Sequence, residues 1–288
     1  MKGTAIAMKT GIESSAYRDE ADLAGSYRRM RRHGYDCVDY QLFVNTETPL
    51  FRLDDALFTR KLREEAAIIR DAGLEISQTH GPWRYPPHDG TEEERAERFE
   101  KMVRSLRGTR ALGCPYMVIH PIMPFGTGGE GSRERFFDIN FDFYRRLARV
   151  AGDEGVVICL ENMPMPDLPL ARPAEILAFV KAIDSPALRV CLDTGHCTMC
   201  GVEPAQAVRE LEREYLRTLH VHDNDGRRDL HWTPYRGVID WAAFSQALRD
   251  IGFDGALSLE THVESALPLD IREHYEIGLG LIARKLAE

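Results

Sequence analysis

The chain has 288 residues, long for two small domains and ordinary for one α/β barrel, and its 43% hydrophobic content is enough for a large core. A formal charge of -9 opposes a broad nucleic-acid or anionic-membrane footprint, because both partners demand a positive field. No run approaches the length that spans a bilayer, and the apolar part of MKGTAIAMKTG is too short for a secretory leader, so a cytoplasmic protein is expected.

In chain order, TAIAM at 4–8 reads as a first strand and residues 19–33 as a helix, followed by the strand CVDYQLF at 37–43 and a helix over 55–72. The apolar run LEISQTHG at 74–81 precedes a helix over 92–112, and YMVIHP at 116–121 precedes one over 135–154. The same alternation continues through VVICLEN (156–162), LRVCLDTGH (188–196), TLHVHDN (218–224) and GALSLET (255–261), with helices over 173–183, 204–214, 240–251 and 268–287. Pro173 and Pro204 suit first-turn positions, and Gly34, Gly73, Gly113, Gly155 and Gly252 each follow a helix. Eight βα units in a chain of this length predict a single-domain (β/α)8 TIM barrel. A doubly wound sheet is the competing architecture, but no glycine-rich phosphate fingerprint follows the first strand.

The long loops at 82–91, 122–134 and 224–238 all follow strands and are expected to rim one face, with the glycine-rich GTGGEG at 126–131 as a flexible lid. The basic run RRMRRH at 28–33 falls on the first helix and reads as a solvated face. Of the six cysteines, Cys37, Cys114, Cys159 and Cys191 lie in or beside predicted strands and read as small buried hydrophobes; the single C-x-x-C of Cys197 and Cys200 has no partner pair for a zinc ribbon. The outer helices would support a homo-oligomer.

Six of the apolar runs close on His80, His120, Glu161, Asp193 with His196, His220, and Glu260. A strand buried on both faces should end in turn formers, so these endings point to one hydrophilic pocket. Three carboxylates and an imidazole, Glu161, Asp193, His220 and Glu260, would desolvate and repel one another in one barrel mouth without a cation. An oxygen-rich set with one imidazole suits Mn²⁺, Zn²⁺, Mg²⁺ or Co²⁺. Any one of the four alone also fits a surface acid paired with an arginine; the set of four does not. His80 and His120 would form a second site sharing Glu161, and His196 with Asp229 and His231 a third cluster, or all five would touch substrate. One metal is expected and up to three have ligands. Trp83 fits either a wall against a sugar ring or a packed rim loop. Asn162, His222 and Asp223 adjoin ligand positions and read as pointing away from them to orient ligands, with His222 also a candidate substrate contact.

The ordered set ENMP at 161–164, DTGH at 193–196, HVHDNDG at 220–226 with DLHW at 229–232, and LET at 259–261 resembles the xylose isomerase-like TIM-barrel superfamily. That group contains sugar and sugar-phosphate isomerases and epimerases, and the endonuclease IV class of abasic-site repair enzymes. In the epimerases the resemblance implies one metal on Glu161, Asp193, His220 and Glu260, with both glutamates serving as acid and base, proton abstraction beside a carbonyl through a metal-stabilised enediolate, and His196 on a substrate oxygen. In the endonucleases it implies three zinc ions, adding His80, His120, His196, Asp229 and His231. A carbohydrate substrate is therefore expected, with phosphodiester hydrolysis as the alternative, and the acidic charge and the absence of a basic rim stripe weigh against nucleic acid.

Overall fold

The computed structural model describes residues 8–127, 132–261, 263 and 266–288. The strands are β1 (Lys9–Glu13), β2 (Cys37–Tyr40), β3 (Glu75–His80), β4 (Tyr116–Ile119), β5 (Val157–Glu161), β6 (Leu188–Asp193), β7 (Leu216–His220) and β8 (Ala256–Leu259). The α-helices are α1 (Leu23–Arg32), α2 (Asp55–Asp71), α3 (Glu92–Leu112), α4 (Arg133–Glu154), α5 (Pro173–Ile183), α6 (Thr194–Met199), α7 (Pro204–Tyr215), α8 (Trp241–Asp250) and α9 (Leu269–Ala287). All ladders are parallel, in the spatial order β7-β6-β5-β4-β3-β2-β1-β8. A bridge between Val221 and Leu259, with Val221 N–H donating to Ser258 O and Glu260 N–H to Val221 O, joins the last strand back to β7. The order is that of a TIM barrel, and the doubly wound alternative is excluded.

Local sequence explains the helix ends. Asp54 caps α2 by accepting from Leu57 N–H, and Thr91 with Glu94 forms a reciprocal capping box on α3. Gly113 and Gly155 stop α3 and α4 at φ of 76° and 68°, a region that costs a side chain energy and glycine none. No described helix is long and apolar enough to cross a membrane.

The first strand departs from the sequence reading. Of TAIAM, residues 4–7 lie outside the described residues, and the first strand described is the neighbouring KTGIE. Its inward positions carry little apolar surface: Gly11 lies in register with Cys37, where a Cβ would meet that residue at 3.4 Å, and the strand ends on Glu13. The expected helix over 19–33 begins at Leu23, where Asp22 caps it. Of the expected lid, residues 128–131 lie outside the described residues.

The main core fills the space between barrel and helices. The barrel interior is different: Val118, Cys159 and Cys191 form a small apolar cluster there, while Asp39, Gln78 and Ser258 form a polar one. The six cysteines are all buried and free.

Candidate metal centre

Glu161, Asp193 and His220 are the last residues of β5, β6 and β7, and Glu260 follows β8. One ligand atom from each of the four lies within 4.8 Å of all the others. His220 Nδ1 is 3.0 Å from Glu161 Oε1 and 3.3 Å from Glu260 Oε2. On the far side of Glu161, Oε2 is 3.0 Å from His120 Nε2 and 3.6 Å from His80 Nε2. A third group gathers Asp229, His196, His222 and His231: Asp229 Oδ2 is 3.4 Å from His196 Nε2, and its Oδ1 is 3.3 Å from His231 Nε2 and 3.8 Å from His222 Nε2.

The hydrogen bonds behind these rings fix their chemistry. His80 Nδ1 lies 2.8 Å from Gly81 O, His196 Nδ1 2.7 Å from Asn162 O, and His231 Nδ1 2.9 Å from Glu260 O. A carbonyl only accepts, so each Nδ1 carries the proton and each Nε2 turns toward a carboxylate. A bare lone pair there would be repelled; a proton or a cation between the two relieves it. The donor set therefore fits divalent cations, and in their absence protons on His196 and His231 fill the same gaps.

The electrostatics agree. Burial opposes charge on His220, His196 and His231, but the carboxylates outweigh it: His220 is held well above the ordinary imidazole range by Glu161 and Glu260, His196 at about 10 by Asp193 and Asp229, and His231 at about 11 by Asp229 and Glu260. Burial also opposes charge on Glu161, and His220 and His120 overcome it, holding its carboxyl well below the usual range. Glu260 goes the other way, pushed up to about 8 by burial. His120 is lowered to about 4 by burial. The Cys191 thiol lies within ligand reach of Glu161 and His220, but burial raises it well above the ordinary thiol range and keeps it neutral.

A family model described as the xylose isomerase-like TIM barrel matches residues 27–284. The chain belongs to that family. An uncharacterised protein of Methanocaldococcus jannaschii is 28% identical over 96% of this chain and 93% of its own length. The 3-dehydro-D-guloside 4-epimerase of Escherichia coli is 22% identical over 91% of this chain and 95% of its own. A solved D-psicose 3-epimerase with D-tagatose, from Clostridium cellulolyticum H10, matches with a TM-score of 0.77 at 20% identity, covering 98% of this chain and 100% of that one.

In this xylose isomerase-like barrel the DTGH sequence has a local reason. Asp193 ends β6 and caps α6, its Oδ1 accepting from His196 N–H at 2.6 Å, so one residue both ends the strand and aims the next ligand. Gly195 is required by space: a Cβ there would sit 2.0 Å from His222 Cε1.

The reading of His222 as turned away from the ligands is corrected. Its ring points into the mouth, with Nε2 at 3.0 Å from Asp193 Oδ2, and stacks on His231 at 4.1 Å and 11°. Being two residues after His220, it shares the inward side by strand alternation. Asn162 and Asp223 do point away. Asn162 brackets the Asp193 backbone, donating to its carbonyl and accepting from its N–H. Asp223 accepts from Gly237 N–H, Ile239 N–H and Trp241 Nε1–H, tying the loop that carries Asp229 and His231 to the start of α8. Trp83 packs edge-on against His120 at 4.5 Å, with the Arg98 guanidinium over its ring at 5.7 Å.

Two acids escaped the sequence reading. Glu13 ends β1 and pairs in register with Asp39; burial and Asp39 raise its carboxyl. Asp39 is fully buried inside the barrel. The sequence marks Asp39 only as a lone carboxylate within the apolar strand CVDYQLF, a pattern that alternation alone assigns to an outward face.

Proposed function

We propose that the protein is a divalent-metal-dependent isomerase or epimerase of a keto sugar, a sugar phosphate or a related polyol ketone such as an inosose, moving a proton on the carbon beside the carbonyl. The observation that carries this reading is the pairing of Glu161 and Glu260 across one imidazole, with their carboxyls driven in opposite directions. A divalent cation held by Glu161, Asp193, His220 and Glu260, whether Mn²⁺, Zn²⁺, Mg²⁺ or Co²⁺, would polarise the carbonyl oxygen as a Lewis acid. In the cation-free protein at neutral pH Glu161 is ionised and Glu260 holds a proton; with the cation in place both would be carboxylates, one to accept the substrate proton and the other, once protonated, to return one. Delivery to the opposite face of the same carbon inverts it; delivery to the neighbouring carbon interconverts aldose and ketose. Glu260, with 17% of its side chain exposed against 1% for Glu161, is the more open to substrate. His196 would position a substrate oxygen, and Trp83 would wall the sugar on the His120 side. The relatives named as epimerases over most of this chain support the reading.

The test is Glu260→Gln. Solvent deuterium exchange into a ketose substrate should fall by about 10²–10⁴-fold, the usual worth of a general acid or base, with the circular dichroism spectrum unchanged. Undiminished exchange would remove Glu260 from the reaction.

A second reading is phosphodiester hydrolysis at abasic sites with three zinc ions. The adjacent group of His80, His120 and Glu161, and that of His196, His222, Asp229 and His231, favour it; the net charge of -9 opposes it. Metal analysis of purified protein separates the two: about one equivalent supports the epimerase, whereas about three, with incision of abasic DNA, would replace it.

A further inference from the structure

We infer that Asp39 is a positioning residue for the metal centre: it holds the Nε2 side of His220 from inside the barrel and thereby presents Nδ1 to the cation. The inference rests on the metal reading of Glu161, Asp193, His220 and Glu260, and not on which reaction they perform.

His220 differs from its neighbours. His80, His196 and His231 give Nδ1–H to main-chain carbonyls and face carboxylates with Nε2, whereas His220 faces Glu161 and Glu260 with Nδ1. Its Nε2 faces Asp39, 3.3 Å from Oδ2, a charge contact outside hydrogen-bond geometry, and makes no hydrogen bond among the described residues. Asp39 reaches there across the interior, since β2 and β7 are separated in the barrel by β1 and β8. The carboxylate is steered by three neutral side chains. Gln78 Nε2 donates to Oδ2 at 2.8 Å, Ser258 Oγ donates to Oδ2 at 3.4 Å, and Gln41 Nε2 donates to Oδ1 at 3.0 Å. The Gln78 amide also donates to Leu219 O at 3.2 Å, fastening the carboxylate to the strand that carries His220.

A purely structural role does not account for this carboxylate. It is fully buried, and among the described residues its hydrogen-bond donors Gln41, Gln78 and Ser258 are neutral while its ion-pair partner is the His220 ring. A buried carboxylate supplied by neutral donors alone is costly. Placed behind a metal-binding imidazole it acquires a use, fixing the tautomer with the proton on Nε2 and making Nδ1 a stronger donor.

The experiment is Co²⁺ titration of wild-type protein, Asp39→Asn and Thr218→Val, read by calorimetry and by the visible Co²⁺ spectrum. Thr218 lies two residues before His220 on β7, and its buried hydroxyl makes no hydrogen bond to Asp39 or His220, so its loss tests packing beside the ring. Asp39→Asn should weaken Co²⁺ by about 10–100-fold and shift the visible bands, while Thr218→Val binds as wild type does. Equal affinity for Asp39→Asn, or an equal loss in Thr218→Val, overturns the inference. Wild-type protein that binds no Co²⁺ overturns the metal reading beneath it. If Asp39→Asn does not fold, nitrogen NMR of ¹⁵N-histidine-labelled, Zn²⁺-loaded wild-type protein decides: a proton on His220 Nε2 supports the inference, and a proton on Nδ1 refutes it.

Discussion

Protons and the proposed divalent cation would compete for the same nitrogens in this mouth. His196 at about 10, His231 at about 11 and His220 well above the usual range are charged in the cation-free protein at neutral pH, each against a carboxylate. Binding a divalent ion to these rings must expel those protons, so affinity should rise steeply from pH 6 to 9. Calorimetry in buffers of different ionisation enthalpy measures the release; pH-independent affinity with no proton release would contradict it. Glu260 carries the opposite sign. Its carboxyl is raised in the folded state, so the folded protein binds that proton more tightly than the unfolded chain, and stability falls as pH rises from about 4.3 through about 8. Glu260→Gln should therefore raise the Tm of cation-free protein at pH 9 by several degrees and leave it unchanged at pH 4. The ligand-type residues were legible because polar groups at the ends of apolar runs violate the packing rule. Asp39 was not, because it sits mid-run, where an acid is read as the outward face of a strand. His222 was misread as a backing residue, although a period of two places it beside His220.

Asp223 sets the loop apart from an ordinary excursion. Its carboxylate is fully buried, and main-chain N–H groups of Asn224, Gly237 and Ile239 together with the Trp241 indole fill it. An antiparallel bridge between Asp223 and Trp232 closes the same loop from within. Asp223→Ala leaves those donors buried without an acceptor, at about 1–3 kcal/mol for each that finds no other. The variant should keep the barrel's circular dichroism, lose several degrees of Tm, and become cleavable by protease between residues 224 and 238. Resistance equal to wild type would show that the loop is held by other contacts. At this scale most of the fold could be read, since seven strands and the helices following them lie where apolar periodicity and capping residues put them. β1 could not: a barrel interior that takes Gly11 against Cys37 and ends on Glu13 leaves no hydrophobic signature, and the more apolar TAIAM drew the assignment.

The whole barrel brings to one mouth residues spread from Glu13 to Glu260, and only closure between β7 and β8 places Glu260 beside His220. The architecture follows from alternation alone, and the three groupings are those expected from the sequence; what needed coordinates was the place of His222 in the third and of the Cys191 thiol beside Glu161 and His220. A chain of net charge -9 whose mouth holds acids of opposed protonation suits a small neutral or metal-chelated ligand better than a polyanion. The decisive measurement is proton NMR of a panel of ketoses, keto-sugars, sugar phosphates and inososes incubated in D2O with protein reconstituted with Mn²⁺ or Co²⁺. An epimerase or isomerase working through Glu161 and Glu260 should place solvent deuterium beside the carbonyl of at least one compound as its epimer or isomer appears. Absence of exchange across the panel by fully metallated protein would contradict it.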